Sequence, residues 1–248
     1  MAKIGLVQTC GIGDIVIALP IAAAMARRGD SVCWPVDERF APFLQRAAPF
    51  VNFLPVPRDV PSPEDYFIFA PQRALKALAC DRIYILYSAM RSNAARLENK
   101  LLPGYLKFDE YKYAVTGVPF SEKWNLRLER DMDRERRLFD GLGVRRDYVC
   151  VHRIGTLAVA TFEVPPAWRR DFDIVEIDER TDSPFDWIYT LEKAAKIVCV
   201  DSCFANLVEQ LNLPNEKHLI LRSPNPFTPV MKNGWTFLAP PTPPAEPT

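Results

Sequence analysis

The chain alternates between short runs of apolar, β-branched residues and longer stretches with helical periodicity. The predicted strands are Lys3–Gln8, Ser31–Val36, Val51–Val56, Arg82–Ser88, Tyr148–Arg153, Phe172–Ile177, Ile197–Asp201 and His218–Arg222. The predicted helices are Asp14–Arg28, Glu38–Ala48, Pro63–Ala79, Asn93–Tyr113, Leu126–Leu142, Phe185–Lys196 and Phe204–Leu211. Strand–helix alternation of this kind is typical of an α/β fold with mainly parallel sheets.

The pattern predicts two α/β halves and a tail. A break at Thr116–Ser121 precedes a helix whose charges alternate in sign, which indicates a solvated helix face. A fresh strand begins at Tyr148, so we place the boundary near residue 144 and the domains at 1–144 and 145–238. Proline supplies no amide proton, and the Pro-rich segment 239–248 is therefore predicted to be extended.

Composition narrows the function classes. Hydrophobic residues make up 48% of the 248 and charged residues 25%, which is typical of globular proteins. Lys+Arg and Asp+Glu both number 31, so a nucleic-acid or membrane binder driven by net charge is disfavoured, although a local basic cleft stays open.

The six cysteines form no CxxC pair and only two histidines are present, so no zinc site is predicted. The first residues lack the regions of a signal peptide, and no apolar run reaches a membrane-spanning length. We therefore expect a reducing, cytoplasmic setting in which the cysteines are small core residues.

The first candidate site is the glycine-rich turn Gly11-Ile12-Gly13-Asp14 between a predicted strand and helix. Closely spaced glycines let the backbone approach a ligand at the start of a helix. The turn is neither a full GxGxxG fingerprint, because position 16 is Val16, nor a Walker loop. Asp14 is interpreted either as a helix N-cap or as a general base at the carboxyl edge of the sheet.

The second candidate site follows the strand Ile197–Asp201, where a helix starts directly after Asp201 and Ser202. Ser202 is able to cap this helix while its first amides remain available for an anion such as a pyrophosphate. Asp201 could contact a ribose, orient the loop, or cap the helix. Ordinary capping and ligand binding both remain open at this loop.

Together the two motifs resemble the heptosyltransferase-like glycosyltransferases, the family of the lipopolysaccharide heptosyltransferases. The resemblance rests on Gly11-x-Gly13-Asp14-x5-Pro20 and on Val200-Asp201-Ser202-x3-Asn206-Leu207, and it is strongest over residues 3–28 and 183–214. It implies a GT-B fold, in which two Rossmann-like domains face each other across a cleft. The second domain is abbreviated here, because fewer strand–helix units precede its Asp-Ser loop than the family usually has.

The resemblance also implies a reaction and a set of roles. Asp14 deprotonates an acceptor hydroxyl, and the loop with Asp201, Ser202 and Cys203 binds the diphosphate of a nucleotide-sugar donor. The turn glycines Gly11 and Gly13, together with Arg153 and Asn206, join this donor and phosphate set. The family usually carries Gly and His where this chain has Cys203 and Asn206, so direct donor contacts differ.

On these grounds the expected activity is an inverting, metal-independent glycosyl transfer without a cofactor, the nucleotide sugar being a co-substrate. Arg91 and Arg96 are candidates for holding an anionic acceptor, a glycan or less readily a modified DNA base, although their spacing also suits an exposed helix face. His152 is either a phosphate ligand or general acid, or a structural imidazole. The alternative function is a nucleotide- or sugar-binding protein without transfer activity.

Overall fold

The structure is a computed structural model that describes residues 1–57, 62–87, 106–155, 162–221 and 228–239. Its contacts divide the chain into two compact units, Met1–Arg130 and Asp131–Thr248. Each unit contains one sheet of parallel strands with helices between them, so the predicted α/β fold is confirmed.

The first unit begins with the glycine-rich turn between its first strand and helix. Its elements in chain order are β1 (Lys3–Val7), α1 (Ile12–Arg27), β2 (Ser31–Asp37), α2 (Ala41–Ala47), β3 (Val51–Val56), a π-helical turn (Asp65–Phe69) that runs into α3 (Ala70–Ala77), β4 (Arg82–Ile85), α4 (Phe108–Thr116) and a 3₁₀ helix (Phe120–Trp124). The strands are ordered β3-β2-β1-β4, and all neighbouring pairs are parallel. β1 is therefore an inner strand, and its residues Leu6 and Val7 are buried.

The second unit repeats this plan with one more described strand. Its elements in chain order are α5 (Met132–Gly141), β5 (Tyr148–His152), α6 (Pro166–Asp171), β6 (Asp173–Glu176), a 3₁₀ helix (Pro184–Trp187), α7 (Ile188–Lys193), β7 (Lys196–Val200), α8 (Cys203–Gln210), β8 (Glu216–Ile220) and β9 (Trp235–Leu238). The strand order is β6-β5-β7-β8-β9, again all parallel. The inner strands β5 and β7 are almost fully buried, as expected of strands covered on both faces.

The compact units divide at residue 130 rather than near residue 144. α5 lies in the second unit, where Arg134 donates two hydrogen bonds to Asp186, from Nε at 3.0 Å and from Nη2 at 2.8 Å, and a further one to Asp182. The helix is also less solvated than its alternating charges suggested, because Glu135 is buried and accepts the Tyr189 amide at 2.8 Å. The sequence break at Thr116–Ser121 thus marks the end of α4 more closely than the end of the unit.

Replacing Arg134 by leucine is expected to destabilise the second unit by about 2–3 kcal/mol, because it leaves the buried Asp186 carboxylate without its cation. Urea denaturation followed by circular dichroism measures the change. Arg136→Leu, at an exposed position of the same helix, is the matched control and should shift the midpoint little. Equal shifts for the two variants would contradict this role of Arg134.

Strand β9 was not predicted from the sequence. Glu209, fully buried on α8, accepts hydrogen bonds from the Lys232 amide at 3.0 Å, the Asn233 amide at 3.3 Å and Trp235 Nε1 at 2.8 Å. One carboxylate therefore ties the segment that leads into β9 to the helix of the second candidate loop. Of the predicted Pro-rich tail, only Ala239 lies within the described residues.

In the part of the chain that the structure describes, no helix combines the length and the apolar character needed to cross a bilayer. All six cysteines are free thiols, and Cys10, Cys33, Cys150 and Cys199 are buried as predicted for core residues.

Candidate active-site loops

The first candidate loop leaves the sheet where the strand order changes direction. β2 lies on one side of β1 and β4 on the other, so the segments after β1 and β4 emerge side by side at the carboxyl edge. Ligands of open α/β sheets bind outside this edge. Tyr87, just after β4, joins the two segments, because its hydroxyl accepts the amides of Thr9 at 2.9 Å and Cys10 at 3.0 Å.

Asp14 lies in the first turn of α1 and is not its N-cap. The helix begins at Ile12 after Gly11, which occupies the cap position with φ 77°. The Asp14 side chain is therefore not needed to cap the start of the helix. It remains 26% exposed. Its Oδ2 accepts a hydrogen bond from Tyr66 Oη at 2.7 Å, and its Oδ1 lies 3.0 Å from Lys112 Nζ. The N-cap interpretation of Asp14 is thus wrong, since both oxygens have side-chain partners instead.

Lys112, on α4, is a buried cation that the sequence did not single out. It is 2% exposed, and besides Asp14 its Nζ donates to Gln8 Oε1 at 2.6 Å and to the Leu86 carbonyl at 3.1 Å. Gln8 in turn donates from Nε2 to the Cys10 carbonyl at 2.9 Å. The ammonium thus connects the ends of β1 and β4 with the carboxylate on α1.

Tyr66 completes the first candidate site from the π-helical turn, a helix irregularity that is frequent at functional sites. Burial and the charge of Asp14 raise the pKa of Tyr66 well above its ordinary value, so the phenol stays protonated and donates to the carboxylate. A Cβ at Gly11 would overlap Tyr66 Oη and would lie 3.0 Å from Asp14 Oδ2. Gly11 is therefore required both for its left-handed backbone and for the space that this hydrogen bond occupies.

The second candidate loop stands at the equivalent place in the other sheet. β6 lies on one side of β5 and β7 on the other, so the segments after β5 and β7 also emerge together at a carboxyl edge. His152 ends β5 and Ser202 follows β7, and the two side chains meet with 3.0 Å between His152 Nδ1 and Ser202 Oγ.

Ser202 is the N-cap residue of α8, but its hydroxyl makes no capping hydrogen bond. The first amides of a helix have no partner within the helix, so this terminus has the electrostatic character of an anion site. Asn206 is buried and donates from Nδ2 to the Ser202 carbonyl at 2.9 Å, which fixes the turn. Cys203 begins the helix, and burial raises the pKa of its thiol to about 12, so it is not a thiolate nucleophile near neutral pH.

Arg153 follows β5 and is oriented by two contacts. Its Nε donates to the Phe162 carbonyl at 3.1 Å, and its Nη1 pairs with Glu176 Oε1 at 2.7 Å. A guanidinium has five N–H donors, so these contacts leave donors for a ligand. The neighbouring His152 is 6% exposed and burial lowers its pKa to about 4, so it is a neutral imidazole and not a cationic phosphate ligand near neutral pH.

The depressed pKa of His152 predicts a specific loss of stability in acid. An unfolded histidine binds its proton near pH 6.5, whereas the folded one does so only near pH 4. Between these pH values the unfolded state binds more protons than the folded state. The contribution of His152 to the free energy of unfolding therefore falls by about 3 kcal/mol as the pH drops through this window. Measured by urea denaturation, the stability advantage of wild type over His152→Gln should shrink from pH 7.5 to pH 4.5. A stability difference between wild type and His152→Gln that stays constant with pH would contradict the lowered pKa of His152.

The chain is similar to known proteins in its structure rather than in its sequence. No protein-family profile matches the chain, and no curated protein sequence matches it either. Solved structures do match. A glycosyl transferase of family 9 from Veillonella parvula superposes with a TM-score of 0.58 at 11% identity, over 96% of this chain and 86% of that one. The E. coli ADP-heptose lipopolysaccharide heptosyltransferase II gives a TM-score of 0.53 at 12% identity, over 95% and 92%.

The chain has the GT-B glycosyltransferase fold. A third similar structure is the iron-containing dodecameric glycosyltransferase TibC from enterotoxigenic E. coli, with a TM-score of 0.56 at 13% identity over 96% of this chain and 64% of that one. The α/β fold with two parallel sheets that the sequence resemblance implied is thereby confirmed. In this GT-B chain, the described residues contain no group of three or more His, Cys, Asp or Glu side chains arranged to hold a metal ion.

The GT-B fold gathers the predicted site residues into two groups. Gly11, Gly13 and Asp14 lie in the first unit, at the start of α1. Arg153, Asp201, Ser202, Cys203 and Asn206 lie in the second unit, at or near the ends of β5 and β7. Arg91 and Arg96, predicted on the acceptor side, lie outside the described residues.

Sequence reasoning missed Tyr66 and Lys112. Tyr66 is 52 residues from Asp14 in the chain, and Lys112 is 104 residues from its partner Gln8. The one available signal for Lys112 was its place between two aromatic residues, Tyr111 and Tyr113, in a predicted helix.

Proposed function

We propose that this protein is a glycosyltransferase that moves a sugar from a nucleoside-diphosphate donor to an acceptor hydroxyl. The observation that carries the proposal is a partly exposed carboxylate, Asp14, contacted at both oxygens in the loop where the strand order of the first sheet reverses. The GT-B fold agrees with this activity. The acceptor is assigned to the first unit and the donor to the second.

In the proposed reaction, Asp14 acts as the general base. Its carboxylate takes the proton of the acceptor hydroxyl while that oxygen forms a bond to the anomeric carbon of the donor. The bond between this carbon and the diphosphate oxygen breaks, and its electron pair leaves with the nucleoside diphosphate. Direct displacement inverts the anomeric configuration. Lys112 and Tyr66 hold the base without occupying all of its lone pairs, because a carboxylate has about four acceptor sites.

The second unit supplies the stabilisation that the leaving diphosphate needs. The N-terminus of α8 offers the positive end of the helix dipole, while Arg153 offers donors at the neighbouring strand end. Gly13 in the first unit and Asp201, Ser202, Cys203 and Asn206 in the second remain donor-site predictions. The helix terminus and Arg153 supply the positive charge that a divalent cation otherwise provides, so we propose metal-independent transfer.

We propose the donor and the acceptor as chemical classes only. Solved structures of the similar heptosyltransferase WaaC contain ADP and an ADP-heptose analogue, so ADP-sugars are the first donors to test. A glycan hydroxyl is the proposed acceptor. A DNA acceptor would show itself as a mobility shift of modified DNA that weakens with salt.

The test is release of nucleoside diphosphate from a panel of ADP-, UDP- and GDP-sugars by the purified full chain. Slow hydrolysis of one donor, undiminished by EDTA, is expected, and the anomeric configuration of a transferred product is read by proton NMR. Binding of a donor without any release would instead support the alternative, a nucleotide- or sugar-binding protein. Loss of activity in EDTA that a divalent cation restores would contradict metal independence.

A further inference from the structure

We infer that Lys112 is a positioning residue for the base: it holds Oδ1 of Asp14 and so fixes the orientation in which the carboxylate meets the acceptor hydroxyl. The inference rests on the proposed function and goes beyond it by naming the group that orients the base. It begins with the surroundings of the ammonium, which has three N–H donors. All three have acceptors, namely Gln8 Oε1, the Leu86 carbonyl and Asp14 Oδ1.

The acceptors of Lys112 are themselves fixed. Leu86 follows β4 and its amide donates to the Val7 carbonyl at 3.0 Å, so its own carbonyl is held at the sheet edge. The Gln8 amide group donates to the Cys10 carbonyl, which leaves Oε1 directed to the ammonium. Two neighbouring strand ends thus determine where Nζ lies, and Nζ determines where Oδ1 lies.

The two oxygens of Asp14 have different partners. Oδ2 accepts a hydrogen bond from the neutral phenol of Tyr66, whereas Oδ1 is contacted by the buried ammonium of Lys112. Among the described residues, Tyr87 and Cys10 are further titratable groups near the carboxylate, and burial raises the pKa of Tyr87 far above its ordinary value. Lys112 is the cation among these neighbours, and the carboxylate that it contacts is 26% exposed.

A second buried lysine in the same unit shows what a purely structural pair looks like. Lys123 lies 2.7 Å from Asp109, and both side chains are completely buried. The Lys112–Asp14 pair differs because its carboxylate reaches the surface while its ammonium does not. A buried ion pair is weak support for stability, so an arrangement that exposes only the anion fits orientation of a reactive carboxylate better.

The experiment compares Lys112→Met with Lys123→Met in the full-length chain. Methionine keeps a long unbranched side chain and removes the charge. For Lys112→Met we expect kcat to fall at least tenfold while KM for the donor stays within about twofold, because the carboxylate loses the contact that orients it. Lys123→Met, which removes a cation paired with Asp109 instead, should leave kcat within about twofold of wild type. An unchanged kcat for Lys112→Met, or an equal fall in the two variants, would overturn the inference.

Two further measurements keep the inference separable from the proposed function. Gln8→Met removes one acceptor of Lys112 without changing any charge, and it replaces Lys112→Met if that variant does not fold. A smaller loss of kcat is expected for Gln8→Met, and an unchanged kcat counts against the inference.

The melting temperatures of Asp14→Asn, Lys112→Met and the double variant form a double-mutant cycle. Strong coupling in a protein without transfer activity would refute the function and leave the pair standing. Additive shifts would refute the pair even if transfer is observed.

Discussion

Replacing Asp14 by asparagine is expected to lower the rate of sugar transfer by a factor of about 10²–10⁴, because the amide cannot accept the proton of the attacking hydroxyl. The substitution is nearly isosteric, so Gly11 and the start of α1 keep their geometry. Release of nucleoside diphosphate from the donor that wild type uses measures the effect. Binding of the same donor, followed by calorimetry, should change little, since the donor is assigned to the second unit.

The same substitution also affects stability, and this effect has to be separated from catalysis. Asparagine leaves Lys112 buried without its counterion, at a cost of about 1–2 kcal/mol given that the carboxylate is partly exposed. Asp30→Asn, at a carboxylate that accepts the Ala2 amide in the same unit, is the control for a lost carboxylate outside the loop. A rate for Asp14→Asn within threefold of wild type, in a folded protein, would remove Asp14 from the role of base.

Gly11→Ala is expected to produce the second large effect, because the position is restricted in two ways. A residue with a Cβ is strained at φ 77°, and the Cβ would overlap the hydroxyl of Tyr66. We expect a loss of about 2–3 kcal/mol of stability. We also expect at least a tenfold fall in kcat, since Tyr66 must leave Asp14 Oδ2. Chemical denaturation and donor turnover measure the two parts.

Gly117→Ala reproduces the first restriction, the backbone strain, without the second. Gly117 also has a left-handed backbone, with φ 66°, but a Cβ there would meet nothing within 4 Å. This variant should carry the backbone strain alone, about 1–2 kcal/mol, and should leave kcat unchanged. If the two glycine variants lose equal stability and equal activity, overlap of the added Cβ with Tyr66 is not what restricts position 11.

Much of the fold could be predicted from the sequence because its strands are local apolar runs. Val51–Val56 was predicted with its observed bounds, and β1, β5 and β7 were predicted to within one residue at each end. Strand β9 was missed for a physical reason. Trp235–Leu238 has four residues, follows a glycine and precedes prolines, and its place depends on a hydrogen bond to Glu209 that no local pattern records.

The candidate site was only partly predictable. Asp14 could be found because it stands beside two glycines in a strand–helix turn, but its partners come from distant segments. Whether a carboxylate caps a helix or faces a lysine depends on where α1 starts, and the positive φ of Gly11 moves that start to Ile12. Likewise, capping of α8 by the Ser202 hydroxyl was one of two open interpretations, and the adjacent strand end supplies His152 as the partner of this hydroxyl instead.

The attachment of β9 to Glu209 decides where this protein can be shortened. A truncation that removes Trp235 and the segment before it would strip a fully buried carboxylate of three donors, and it would do so on the helix whose first turn is the proposed diphosphate site. Shortened variants made for crystallisation or binding studies should therefore retain Leu238, because a cut upstream of it would disturb the proposed donor loop from the opposite end of α8.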